Sequence, residues 1–232
     1  DRTTTVTSAD HLTVTTTVDQ DGDGIINQRQ TYVQNADGST TTTTEQLSVN
    51  GTLLTKTMVA SSADGLVKTT SLDIDGNGVY DDIVTETTTL ASDGSRNKTT
   101  VDRSSNDKVL SQVDTSTSAD GRTITVSVDA DGNGPRETKT VTTSTTAASG
   151  DVTLVTSTYN TNASSILRSK STTITTANGL STTVNSDVNA DGVIDFTDTN
   201  VTVIDATNRT QTVQHRTKST TGTLLSQTIT KT

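Results

Sequence analysis

Four oxygen-bearing side chains, Asp19, Asp21, Asp23 and Asn27, occupy positions 1, 3, 5 and 9 of a short stretch whose position 6 is Gly24. The pattern recurs three times: Asp73, Asp75, Asn77 and Asp81 around Gly78; Asp129, Asp131, Asn133 and Glu137 around Gly134; Asp187, Asn189, Asp191 and Asp195 around Gly192. Alternate carboxylates in one tight loop are what a hard divalent cation needs. Calcium takes six to eight oxygens at roughly 2.3–2.6 Å, and a glycine at the sharp bend lets several side chains turn inward together. Main-chain carbonyls at position 7, from Ile25, Val79, Pro135 and Val193, are expected to add to each set. Pro135 is the only proline, and it falls where this pattern predicts that a carbonyl is needed and an amide hydrogen is not.

Asp-Gly and Asn-Gly pairs are also ordinary turn formers, and a single copy would mean no more than a turn. Four copies that keep oxygens at the same four positions hold more negative charge than a bare turn requires, and they predict calcium sites. Four bound Ca2+ would bring the formal charge from -10 to -2, turning repelling loops into rigid corners. The loops resemble the DxDxDG calcium loops of EF-hands, dockerins and thrombospondin type 3 repeats. The threonine-rich units around them look like repeat regions of large secreted bacterial adhesins and matrix-fibre proteins. The likeness to the EF-hand stops at position 12, where Gln30, Val84 and Thr140 replace the bidentate Glu. It implies that water or a neighbouring strand completes the shell, with extracellular-type affinities of about 0.1–1 mM.

The elements that position these loops follow from the repeat. The loops begin at intervals of 54, 56 and 58 residues, and three further turns keep the same beat. One is Ala63 to Gly65, Ala119 to Gly121 and Ala177 to Gly179, with Ala9-Asp10-His11 as its first copy. A second holds Asp37-Gly38, Asp93-Gly94 and Ser149-Gly150 and becomes Thr207-Asn208 in the last unit. A third precedes a leucine pair or its equivalent: Asn50 to Leu54, Asn106 to Leu110, Ala163 to Leu167 and Thr221 to Leu225. The sequence therefore predicts repeats over 9–62, 63–118, 119–176 and 177–232, with 1–8 completing a preceding unit.

Between turns the pattern has period two, the spacing of a strand. Leu12, Val14, Thr16 and Val18 share one face, as do Leu66, Thr70 and Leu72, then Ile124, Val126 and Val128, while the other face is mostly Thr and Ser. Short Gly-containing turns predict antiparallel hairpins. The expected fold is all-β: tandem repeats of four antiparallel strands, a hairpin meander, stacked into an elongated two-layer rod or ribbon. One such unit buries too little apolar surface to offset about 1–2 kcal/mol of backbone entropy per residue, so stacking on neighbours is required.

Composition narrows the function. Only 28% of residues are hydrophobic and 2% aromatic, yet Thr supplies 58 of 232, a β-branched excess that favours thin sheets over disorder. There is no Cys, which removes disulfide staples and thiolate metal sites and leaves Ca2+ as the available staple. The net charge of -10 and the lack of a basic patch with interleaved aromatics exclude nucleic acid as a partner. No apolar run approaches the ~20 residues of a membrane span. His11 and His215 sit in no catalytic constellation, and the sequence predicts no enzyme.

Threonine reads first as a strand former whose hydroxyl keeps the sheet soluble, and second as a platform for O-linked sugar beside Asn-x-Ser/Thr sequons at Asn50, Asn97, Asn162, Asn200 and Asn208. The leading expectation is an extracellular or cell-surface structural repeat: a calcium-rigidified stalk, fibre or filament. Its partners would be copies of itself or further repeats end to end, and glycan. The alternative is a calcium-dependent adhesive module binding carbohydrate or ice.

Overall fold

The computed structural model describes residues 1–161, 165–207 and 210–232. The described residues form seventeen strands and no helix. They are β1 (Arg2–Thr7), β2 (Thr13–Asp19), β3 (Gln28–Gln34), β4 (Thr40–Leu47), β5 (Leu53–Ser61), β6 (Val67–Asp73), β7 (Asp82–Leu90), β8 (Arg96–Ser104), β9 (Val109–Thr117), β10 (Thr123–Asp129), β11 (Thr138–Thr146), β12 (Val152–Asn160), β13 (Ile166–Thr175), β14 (Ser181–Asp187), β15 (Phe196–Asp205), β16 (Thr210–Ser219) and β17 (Leu224–Lys231).

By contact the chain divides into two units, one of Asp1–Leu90, Arg96–Asp114 and Asp129–Gly134, the other of Ala91–Ser95, Thr115–Val128 and Pro135–Thr232. Within the first, each strand from β1 to β8 pairs antiparallel with the next, as the hairpin turns predict. The strands from β10 to β17 do the same. β-Branched threonines face one another across the ladder, and hydroxyl pairs such as Thr5–Thr16 at 3.1 Å and Thr142–Thr156 at 3.2 Å tie them.

The turns explain the punctuation of the sequence. In Ser62-Ala63-Asp64-Gly65, the Ser62 hydroxyl and the Leu66 amide both donate to Asp64 Oδ1, at 2.6 and 3.0 Å. Gly65 then takes φ +70°, a conformation cheap only for glycine. In the first copy His11 occupies that place at φ 61°, so a strained side chain stands where the later units have glycine. The Ala163 turn residue, Asn208 of the last turn, and the sequons at Asn162 and Asn208 lie outside the described residues. Asn50, Asn97 and Asn200 are exposed.

The predicted apolar face does not become a core. Among the described residues no hydrophobic side chain is buried, and Leu12 and Ile124 of that face are exposed by 36% and 39%. The register shows why. Val14 faces Tyr32 and then Thr42, and Val18 faces Gln28 and then Gln46, so each apolar side chain is diluted by polar ones on the next strands. What is buried instead is Ser71 and four aspartates: Asp19, Asp73, Asp129 and Asp187.

Candidate metal centre

Those four aspartates are position 1 of the four predicted loops. Each closes its strand, and the loop returns to the ladder when the position-9 amide bonds the carbonyl preceding the aspartate: Asn27 to Val18, Asp81 to Leu72, Glu137 to Val128 and Asp195 to Ser186, at 2.8–2.9 Å. Inside the second loop, both carboxylate oxygens of Asp73 are engaged. Oδ1 accepts the Gly76 amide at 2.7 Å and Oδ2 the Gly78 amide at 2.9 Å. Asp19 receives Gly22 and Gly24 at 2.7 and 3.0 Å, and Asp129 receives Gly132 and Gly134 at 2.7 and 2.8 Å.

A carboxylate taken out of water is costly unless hydrogen-bonded or paired, and these amide donors meet part of that need. Burial pushes the Asp19 carboxyl up, but the Gly22 and Gly24 amides and Asp21 outweigh it and hold the group below the usual carboxylate range. At Asp129 burial is likewise outweighed, by the amides of Gly134, Gly132 and Asn133.

Positions 4 and 6 both adopt left-handed backbone. Position 6 was legible as glycine in every loop; position 4 is the residue the ligand pattern passes over. It is Gly22, Gly76 and Gly132 at φ 70–80° in the first three loops. A Cβ at Gly76 would lie 2.2 Å from the Leu53 carbonyl oxygen, and one at Gly132 equally close to that of Val109. These loops therefore press on the start of β5 and β9, beside the leucine pairs that also recur with the repeat. At Gly22 the same space is open.

The remaining predicted ligands brace the loop. Position 3 accepts the position-5 amide (Asp75 from Asn77 and Asp131 from Asn133 at 3.1 Å, Asn189 from Asp191 at 3.0 Å) and, more loosely, Asp21 accepts Asp23 at 3.4 Å. Position 5 accepts the position-7 amide: Asp23 from Ile25, Asn77 from Val79 and Asp191 from Val193, at 2.7–2.8 Å. The expectation that position 7 needs no amide hydrogen is thereby corrected. Three of the four loops use it, and Pro135 deprives Asn133 of that bond in the third. Position 9 ties back to position 2, with Asn27 accepting Gln20, Asp81 accepting Ile74 and Asp195 accepting Val188 at 2.6–2.8 Å. Position 12 lies within the following strand, where Gln30 pairs Thr16, Val84 pairs Thr70 and Thr140 pairs Val126.

Each loop carries three carboxylates and one amide at its four positions. In the first, Asp19, Asp21 and Asp23 bring one oxygen each to within 4.8 Å of the others; in the second, Asp73, Asp75 and Asp81 do so; in the third, Asp129, Asp131 and Glu137. These groups can hold a metal ion. The fourth loop, with its amide at position 3, does not gather Asp187, Asp191 and Asp195 in this way. Its position 4 is Ala190, at φ 62°, and Asp187 receives the Gly192 amide alone, at 2.9 Å. Oδ1 of Asp187 is buried without a partner, on a side chain only 5% exposed.

Another acidic contact is invisible in the spacing. Asp82 opposes Ser104 and Val84 opposes Asp102, which sets the two aspartates on one face of β7 and β8. The hydrogen bond with Asp82, then burial and the like charge, hold the Asp102 carboxyl above its usual range. No protein-family model matches the chain, and no significantly similar protein is found among curated ones.

Proposed function

We propose that the chain is an extracellular or cell-surface structural repeat whose loops bind Ca2+ and thereby stiffen a stalk, fibre or filament. One observation carries the reading: apart from Ser71, the only buried side chains among the described residues are the position-1 aspartates of the four loops. A fold normally spends its interior on apolar groups. Here the interior is carboxylate, and in the first three loops two more acids meet it, a charge that a divalent ion neutralises at the place where the backbone is most tightly bent. Oxygen-only donors and loop glycines favour calcium over softer metals.

Four-strand units repeat along the chain, and their exposed valines and leucines gain burial by stacking into a two-layer rod or ribbon with further units or other copies. Exposed threonines and the sequons at Asn50, Asn97 and Asn200 leave the outer surface to water and glycan. The test is thermal unfolding of the chain in EDTA and in about 10 mM calcium, roughly 10 to 100 times the dissociation constants expected. Each filled site adds about 1.4–2.7 kcal/mol at that excess, so the midpoint is expected to rise by many degrees, and much less in magnesium. An identical midpoint in EDTA and calcium would refute the proposal.

A further inference from the structure

On β6, β7 and β8 and the turn before β6, outside the Asp-rich loops, Lys68, Glu86, Arg96 and Lys98 line a groove of about 350 Å3 together with Gly65, Leu66 and Thr88. Lys68 stands directly opposite Glu86, and Thr88 opposite Lys98 with Leu90 opposite Arg96, so all four charges lie on one face of three adjacent strands. Lys98 forms an ion pair with Glu86. The Lys98 bond, with the charge of Lys68 behind it, holds the Glu86 carboxyl below its usual range. Three cations around one anion leave an excess of two positive charges, on a chain whose overall charge is -10.

The same ladder positions elsewhere carry no charge. They are Val14, Tyr32 and Thr40 on β2–β4; Ile124, Thr142, Leu154 and Val152 on β10–β12; and Thr182, Asn200, Val213 and Gln211 on β14–β16. A ladder that served only solubility would balance its signs, whereas four charged residues have been placed together here with a net surplus. Glu86 fixes Lys98, and Lys68 and Arg96 remain exposed with their donors available. A guanidinium presents two parallel N–H groups to a carboxylate or sulfate, and a flanking ammonium supplies a point charge.

We propose that this groove binds an oxyanion group, carboxylate, sulfate or phosphate, with Arg96 and Lys68 as the contacting residues and room beside them for a sugar-sized body. The site shares no residue with the metal loops and goes beyond the structural role, so either can fail without the other.

The test is titration of the whole chain in calcium-free buffer, followed by amide NMR shifts, with sodium glucuronate, inorganic phosphate and, as a neutral control, glucose. Glucuronate is expected to saturate in the millimolar range with shifts confined to β6–β8, and glucose to cause none. Phosphate saturating alone would assign the groove to a free ion; glucuronate binding more tightly would assign it to an acidic sugar. The double variant Lys68→Thr/Arg96→Thr is expected to lose at least tenfold in affinity, while the charge-matched Lys108→Thr/Lys231→Thr variant keeps it within about twofold. Equal losses in both variants, or no saturable shift with either anion, would overturn the proposal.

Discussion

The second and fourth loops have the same number of acids, the same closing hydrogen bond and the same buried first aspartate, yet they are finished differently. At Asp73 both carboxylate oxygens are bonded, and Asp75 and Asp81 converge beside it. At Asp187 one oxygen is buried with nothing to bond, and Asp187, Asp191 and Asp195 do not all come within 4.8 Å of one another. The difference traces to two positions, Gly76 against Ala190 and Asp75 against Asn189. Acid count alone therefore does not make a site. The backbone must also bring its amides to the carboxylate, and at Ala190, left-handed at φ 62° like the glycines but carrying a Cβ, none reaches Asp187 Oδ1.

The largest expected effect comes from removing the first aspartate. In EDTA, Asp73→Ala leaves two loop amides without an acceptor and is expected to cost about 2–5 kcal/mol in denaturant unfolding. Asp187→Ala removes one bond and also an orphaned oxygen, and is expected to cost less than about 2 kcal/mol. Equal losses would mean that the two loops are not built differently. Next come the glycines. Gly76→Ala must displace the Leu53 carbonyl and is expected to cost about 2–4 kcal/mol, whereas Gly22→Ala meets open space and bears only the left-handed backbone, about 1–2 kcal/mol. In the opposite direction, Ala190→Gly is expected to stabilise by about 1 kcal/mol, read in the same unfolding assay.

The smallest effects are those of protons. Because the fold raises the Asp102 pKa, its contribution is present in acid and lost as pH rises through the raised value. Asp102→Asn is therefore expected to raise stability at pH 7 by about 0.2–1 kcal/mol, and the gain should fade as pH drops into the carboxylate range. The turn aspartates run the other way. Ser8, Ser39, Ser62 and Ser118 hold Asp10, Asp37, Asp64 and Asp120 below their usual range, and the Ser95 amide and hydroxyl do so for Asp93. Their contribution is present at neutral pH and lost as pH falls through the lowered values. A pH series of melting midpoints that failed to separate Asp102→Asn from the parent chain would remove the Asp82–Asp102 contact from the account.

Much of this was legible in the residues. Period-two threonine runs and Asp-Gly turns fix hairpins because each turn type demands its own residues, and antiparallel neighbours follow. The loops were legible because ligand positions must recur. The missing core was not: Leu12, Val14 and Val18 read as an apolar face along one strand, but burial depends on what register sets across from them, and that is Tyr32, Thr42 and Gln28. The role of position 4 escaped the pattern because glycine there binds nothing; it matters through φ and through contact with Leu53, a residue distant in sequence. Pro135 misled because a ligand pattern counts oxygens and overlooks the amide that braces them.

The central claim is that these loops gather calcium, and calorimetric titration of the parent chain beside Ala190→Gly tests it most directly. The first three sites should fill together and the fourth, with an amide at position 3 and a Cβ at position 4, only at higher calcium, with Asn189→Asp added to Ala190→Gly bringing the fourth into line. No binding heat in either protein up to about 10 mM calcium, ten times the weakest affinity expected, would contradict it.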